Sequence, residues 1–313
     1  MREAEGLTPQ EKKSLTHGEF WIPEAERVVY RRALRALNGA GLPYVVSGLY
    51  AVHAYTGVYR ETKDLDLLVT PDVVVPIAET FRSAGFEVRL TEEHWLAQAF
   101  HRGAQVDFIF GMANGIGFID DGWYRHSRPG ILAAVPVRVA PPEELIWHRL
   151  FIGERHRFDM ADVSHLILHR GPELDWDRLL QRAGDHWRLL LSQLHFFDFA
   201  YPHHRGRIPE AARAELRARE DAEAARDAEA ARDAENAQDA ENARDAENAR
   251  DAGPTPEQSA GVAPLTRGTL LSRYSFAIDV DEWGFRDERL TLVAAQRKTA
   301  QVEAIRRAAV WQE

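Results

Sequence analysis

The sequence predicts an α+β fold: a mixed β-sheet flanked by helices, then a helical region, then a long charged insert that is helical or disordered. Three observations carry this. Up to Val139 the apolar residues alternate between a helical and a strand period. From Pro141 to Phe199 mainly the helical period remains. From Ala222 to Asp251 both give way to five copies of a hexamer: AEAARD, AEAARD, AENAQD, AENARD and AENARD.

Taken in order, Glu24–Ala40 reads as an amphipathic helix closed by Gly41. Tyr44-Val45-Val46 is a short strand, and Gly48–Tyr55 suits a helix. Leu65–Val69 reads as a second strand. Asp72–Ala84 reads as a helix, with Asp72 as N-cap and Gly85 just past its end. Phe86–Leu90, Gln105–Phe110 and Val135–Val139 read as strands. Pro141-Pro142-Glu143-Glu144 opens a helix, since early proline costs no bond and acids suit the positive end of the dipole. Helices follow over Asp159–His169, Trp176–Ala183 and Trp187–Phe199.

This pattern divides the chain into a flexible N-terminus (1–20), a core (21–140), a helical region packed on it (141–208), the repeat insert (209–260) and a C-terminal segment (261–313) that packs back on the main body. In the insert, Ala and Glu favour helix, and pairs such as Glu223/Arg226 and Glu229/Arg232 lie three apart. A six-residue period advances a helix by about 240° net, so successive copies face different ways and no apolar seam forms. A solvated helix or spacer is the expectation.

Composition narrows the function. There is no cysteine, which excludes disulfides, thiolate catalysis and thiolate metal sites. No apolar run is long enough to cross a bilayer, and the first twenty residues lack a secretory h-region, so no membrane partner and a cytoplasmic location are expected. The net charge of −10 is carried mostly by residues 209–252, which hold 14 acids against 7 arginines. The remainder is near neutral, which argues against long RNA as a partner.

The chemistry concentrates in YVVSGLYAVHAYTGVYRETKDLDLLV, residues 44–69. A strand ends in Ser47-Gly48 and feeds a helix, a turn that lets backbone N–H groups approach a phosphate. Asp64 and Asp66 are two apart, so on a strand both side chains take one face. They repel unless a cation lies between them. Asp107 sits inside the apolar run AQVDFIF, where a lone carboxylate is costly. A Mg²⁺ (or Mn²⁺) shared by Asp64, Asp66 and Asp107 accounts for all three, because hard cations take oxygen ligands alongside substrate phosphates.

These residues resemble the DNA polymerase beta-like nucleotidyltransferase superfamily. More narrowly, they resemble the bacterial uncharacterised nucleotidyltransferases related to AbiEii-type toxins and minimal nucleotidyltransferases. The likeness lies in Ser47-Gly48, in Arg60 to Asp66, in Val106-Asp107, in residues 141–167 and in RGTLLSRYSFAIDVDEWGFRD. It implies a nucleotidyltransferase-type sheet and transfer of an NMP from an NTP to an acceptor hydroxyl, with pyrophosphate leaving. It implies Asp64, Asp66 and Asp107 as catalytic metal ligands. It further implies that Ser47 and Gly48 hold the triphosphate and that Arg60 and Lys63 lie near the phosphates. Arg149 stands where related toxins place a helical lysine, with Asp159 and Asp162 on the helix behind it. Acceptors in such groups include an RNA 3′ end, a protein side chain or a small molecule such as an aminoglycoside. Two positions depart from the pattern: the turn begins with Ser rather than Gly, and Arg149 replaces Lys. The alternative is a catalytically weak nucleotide-binding or toxin–antitoxin module with a protein partner.

Other clusters read as structural. His195, Asp198, His203 and His204 form a polar helix end, Arg155 to Asp162 a charged helix, and Trp95, Trp123, Trp147, Trp176 and Trp187 core or cleft-wall aromatics. Gly115 and Gly117 lack the context of a nucleotide fingerprint.

Overall fold

The computed structural model describes residues 20–155, 157–248 and 263–312. The expected flexible N-terminus, apart from Phe20, and the end of the repeat insert (249–260) lie outside the described residues.

Helix α1 (Glu24–Ala40) ends where Gly41 turns left-handed, as its sequence predicts. It is followed by β1 (Val45–Val46), α2 (Gly48–Thr56) and β2 (Asp64–Leu68). The next helix differs from expectation. Pro71–Val73 forms a 3-10 turn, α3 runs Val74–Ser83, and Asp72 caps neither. Pro71 favours the tight turn that takes Asp72 away from the helix start.

The strands β3 (Glu87–Glu92), β4 (Leu96–His101) and β5 (Ala104–Ile109) form a meander. After α4 (Asp121–Arg125) come β6 (Arg128–Leu132) and β7 (Val135–Val139). These make one seven-stranded sheet in the order β3-β4-β5-β2-β1-β7-β6. β2 runs parallel to β5 and β1 parallel to β7, while the other neighbours are antiparallel. The fold is the expected α+β class with a mixed sheet.

Alternation along the central strands sorts the two faces. Val106 and Phe108 of β5, with Leu65 and Leu67 of β2, are fully buried. Phe108 meets Phe81 of α3 at a ring-centroid distance of 5.7 Å, so this face is the one α1 and α3 cover. Each such side chain contributes about 1.5–3 kcal/mol on burial. The residues between them, Asp64, Asp66, Gln105, Asp107 and Ile109, take the opposite face.

Beyond the sheet lie α5 (Pro142–Arg149), a small hairpin of β8 (Gly153–Glu154) and β9 (Arg157–Phe158), α6 (Met160–Arg170), α7 (Trp176–Ala183) and α8 (Trp187–Ala200). Glu144 of α5, with no exposed surface, pairs with Arg178 and Arg182 of α7 and ties this bundle together. Helix α9 (Glu210–Asn248) carries most of the repeat. Its base is anchored by buried Ala212 and Leu216 and by Arg213, which pairs with Asp198 at 2.7 Å.

The C-terminal segment contains β10 (Leu265–Thr266), α10 (Ala277–Asp281), β11 (Arg286–Asp287), α11 (Glu288–Arg297) and α12 (Ala300–Arg307). It packs against the sheet. Gln296 of α11 donates to the carbonyls of His94 and Gly117. A Cβ on Gly115 would stand 2.5 Å from the backbone nitrogen of Val293, so this glycine lets the segment approach. Among the described residues no helix is long and apolar enough to cross a membrane.

Candidate functional site

The register of β2 and β5 decides which charges meet. Asp66 pairs with Asp107 and Asp64 with Gln105 across the parallel ladder. Residues opposed in this way project side by side, roughly one strand spacing of ~4.8 Å apart. Asp64, Asp66 and Asp107 therefore line one cleft.

Two of the carboxylates accept side-chain hydrogen bonds. Thr62 donates to Asp64 Oδ1 at 3.0 Å. Gln98 of β4 and Gln105 of β5 donate to Asp107 Oδ1 at 3.0 and 2.7 Å. Asp66 is the most strained electrostatically. Burial and then the charges of Asp64 and Asp107 push its carboxyl up to about 7, against the pull of Arg149 and Arg157. Asp107 is also raised, chiefly by burial, with the two glutamines opposing the shift. Among the described residues, no group of three or more His, Cys, Asp or Glu side chains is set as a closed metal cluster. The carboxylates share a face, with those of Asp64 and Asp107 turned onto neutral donors.

The Ser47-Gly48 turn lies directly against Asp66. The Ser47 amide donates to the Asp66 carbonyl at 2.9 Å. Gly48 has φ +59°, and a Cβ there would stand 1.9 Å from Asp66 Oδ2. Only glycine gives both that backbone and that clearance. Ser47 is buried at the N-terminus of α2 and makes no side-chain cap, so the first amides of the helix lack intrahelical partners.

Arg149, at the end of α5, is 4% exposed and reaches the turn from behind. It donates to the Gly48 carbonyl at 3.2 Å and lies 3.5 Å from Asp162 and 3.9 Å from Asp159. Arg60 reaches Asp162 at 2.7 Å from its half-exposed loop. Lys63 is exposed and does not line the cleft, unlike the other residues expected near the phosphates.

The run Arg155 to Asp162 is not one helix. Arg157 is on β9, Asp159 precedes α6, and only Asp162 lies within it. Arg157 grips Asp159 through the Nε–Nη2 edge of its guanidinium, at 2.9–3.2 Å. The hairpin supplies that geometry, which a continuous helix would not. Asp198 is held by Arg213 and Arg205, consistent with a polar helix end. Trp123, Trp147, Trp176 and Trp187 are buried core residues, whereas Trp95 lines the cleft.

The cleft has a volume of about 700 Å³. Sequence reasoning missed much of its wall, namely His148 and Thr269, Arg273, Tyr274 and Arg289 of the C-terminal segment, and missed Gln98 and Gln105, which hold Asp107. Period-two alternation on β5 was the available signal for Gln105. His148 sits between burial and two arginines, which lower its pKa to about 4 and keep it neutral.

Comparisons with known proteins bear on this arrangement. No curated protein matches the chain. Among solved structures, the antibiotic-resistance factor ANT(2'')-Ia is 18% identical, with 54% of this chain and 96% of that chain covered and a TM-score of 0.40. The lincosamide antibiotic adenylyltransferase LnuA is 15% identical, with 46% and 96% covered and a TM-score of 0.33. An antigenic nucleotidyltransferase-like protein from Paracoccidioides brasiliensis is 15% identical, with 54% and 92% covered and a TM-score of 0.34. A family model described as uncharacterised nucleotidyltransferase matches residues 25–195. That match takes in the sheet, the Ser47-Gly48 turn, the three aspartates and Arg149, and by it the chain belongs to the uncharacterised nucleotidyltransferase family.

Proposed function

We propose that the chain transfers an NMP from an NTP to an acceptor hydroxyl in a reaction dependent on Mg²⁺ or Mn²⁺, and that it belongs to the polymerase beta-like, AbiEii-related branch of nucleotidyltransferases. The observation that carries this is the in-register pair Asp66–Asp107 beside Asp64, with Asp66 pressed into the space that Gly48 leaves free.

The donor set fits a hard divalent cation. Three carboxylates on one face offer oxygen ligands, and burial, then the charges of Asp64 and Asp107, raise the pKa of Asp66. Asp64, Asp66 and Asp107 would hold the metal, which supplies charge compensation for the triphosphate and acidifies the acceptor hydroxyl. The chain's own residues do the rest. The free amides at the start of α2, with Ser47, receive the phosphates. Gly48 keeps backbone and carboxylate in contact. Arg149 acts as a positioning residue that fixes the Gly48 carbonyl, with Asp162 and Asp159 balancing its charge. Arg60 adds positive charge at the rim. The acceptor oxygen bonds to the α-phosphorus as the bond to the bridging oxygen breaks. Pyrophosphate leaves, and the acceptor proton passes to Asp107, which projects beside Asp66 on the same face.

The second reading, a nucleotide-binding or toxin–antitoxin module with little turnover, draws on one observation: the carboxylates do not close into a metal cluster among the described residues. One assay separates the two. Full-length protein is incubated with each NTP and Mg²⁺ or Mn²⁺ in the presence of host extract, and pyrophosphate is measured. Turnover that is lost in Asp64→Asn and Asp66→Asn supports transfer. Nucleotide binding without pyrophosphate release supports the module.

A further inference from the structure

The cleft has a second wall, made by the C-terminal segment, and its charge differs from the first. Arg273 follows the 3-10 turn Gly268–Leu270, and Arg289 is in the first turn of α11. Both line the cleft that holds Asp64, Asp66 and Asp107. Among the described residues, neither makes an ion pair within 4.0 Å. Every other arginine of this cleft is paired: Arg60 with Asp162, Arg149 with Asp159 and Asp162, and Arg157 with Asp159. The one acid nearby on β8, Glu154, accepts from Ser272 at 2.7 Å. Arg289 donates to the Ala113 carbonyl at 3.3 Å, while Arg273 stacks on its exposed neighbour Tyr274 at 5.8 Å from the ring centroid. Of the other carboxylates near Arg289, Asp287 is occupied by Thr269 and the Leu290 amide, and Glu92 pairs with Arg297 at 3.9 Å.

Two guanidinium groups facing one space repel each other, and burial together with Arg273 lowers the pKa of Arg289. An anion between them relieves that repulsion, and guanidinium matches phosphate in bidentate geometry. Their place in the cleft also assigns the anion to a partner. The triphosphate takes the α2 end, beside Ser47 and Gly48. Arg289 sits instead against Ala113, and Arg273 lies three residues after Leu270, whose carbonyl accepts from Asn114; both Ala113 and Asn114 follow the far end of β5 from Gln105.

We propose that Arg273 and Arg289 recognise a phosphate on the acceptor, so that the hydroxyl compound receiving the NMP is a phosphate ester or ends in a phosphodiester. This rests on the nucleotidyl-transfer reading above and names the acceptor class. A polycationic acceptor would meet an unpaired positive wall and is disfavoured.

The test uses full-length protein saturated with Mg²⁺ and α,β-methylene-ATP. Glycerol 3-phosphate and a labelled hexaribonucleotide with a free 3′ hydroxyl are titrated separately. At least one probe binds, and Arg273→Gln/Arg289→Gln weakens it about tenfold or more, the loss expected for charge-assisted bonds. The ATP analogue keeps its affinity within about twofold. Which probe binds tells a small phosphate ester from an RNA end. The proposal is overturned if neither probe binds or if the double variant binds them as well as the native chain. Loss of the ATP analogue in the double variant also overturns it, because the arginines would then serve the NTP. Failure of the analogue to bind the native chain counts against nucleotidyl transfer instead. The two probes are then titrated without nucleotide, and the same dependence on Arg273 and Arg289 decides the phosphate site.

Discussion

The β2–β5 face and the exposed stretch of α9 are both dense in charge, yet they differ in every physical respect that matters. On the sheet, register sets Asp66 beside Asp107, burial removes their water, and the carboxyl of Asp66 rises to about 7. On α9, the hexamer rotates its acids and arginines around the whole helix, and residues 227–237 are exposed throughout. Water screens them. Charge count therefore says little about function. What counts is whether the fold forces like charges together and away from solvent.

The largest expected effect follows from that contrast. Asp64→Asn and Asp66→Asn each lower pyrophosphate release by about 10³-fold or more, as loss of a charge-compensating group does. Circular dichroism should show both variants folded. Gly48→Ala comes next. Its Cβ collides with Asp66 and its φ is positive, so thermal unfolding should show a loss of about 1–3 kcal/mol together with loss of turnover. A Gly48→Ala enzyme with native turnover would break the claim that this contact is needed.

Arg149→Gln releases the Gly48 carbonyl and removes one buried charge beside Asp162 and Asp159, which keep Arg60 and Arg157 as partners. A loss of about 1–3 kcal/mol by denaturant titration is expected, with a raised KM for the NTP. Arg149→Lys should recover part of the stability and less of the KM, because lysine lacks the second donor edge. Full recovery of both would show that charge alone suffices there.

The acidic face was legible from sequence because its signals are local. Spacing two placed Asp64 and Asp66 together, and an acid inside AQVDFIF marked Asp107. Its supports were not, because they come from elsewhere in the chain. Gln98 lies on β4, a strand overlooked in LAQAFH; the turn Arg102-Gly103, both with positive φ, gave the one hint. β6 was hidden by Pro129 and Gly130, which an edge strand tolerates and a central one does not. The turn joining it to β7 uses Ala133 and Ala134 at positive φ, so no glycine announced it. Arg149 was expected at the phosphates. In the fold it lines the cleft, on the Gly48 carbonyl and beside Asp159 and Asp162, partners that no local pattern names. The basic wall of Arg273 and Arg289 depends on a contact between distant parts of the chain, which no local pattern encodes.

A pH titration tests the electrostatic half of the comparison. In the unfolded chain an Asp titrates near 3.9, whereas the folded Asp66 titrates at about 7. Between these values the folded state binds the extra proton, so stability falls as pH rises, by up to roughly 4 kcal/mol across the window. In EDTA, the native chain should therefore lose more melting temperature from pH 5 to pH 8 than Asp66→Asn does, since His148, lowered to about 4, adds the opposite slope to both profiles. Added Mg²⁺ should raise the melting temperature most at pH 8, where the carboxylate is charged. Native and Asp66→Asn profiles that run parallel from pH 5 to pH 8 in EDTA would contradict the raised pKa inferred for Asp66.

The smallest effect belongs to the arm. Glu229 and Arg232 lie three apart on α9, both exposed, and a surface pair of this kind contributes a few tenths of a kcal/mol at most. Replacing both with Gln should shift the unfolding midpoint by less than about 0.5 kcal/mol and leave pyrophosphate release unchanged. Arg213→Gln, at the base of the same helix, should cost more, because it uncouples α9 from Asp198 at two hydrogen bonds of 2.7 and 2.8 Å. If the exposed pair proved as costly as the anchored one, solvent screening would not be what separates the arm from the sheet, and a surface that covers the arm would have to be sought.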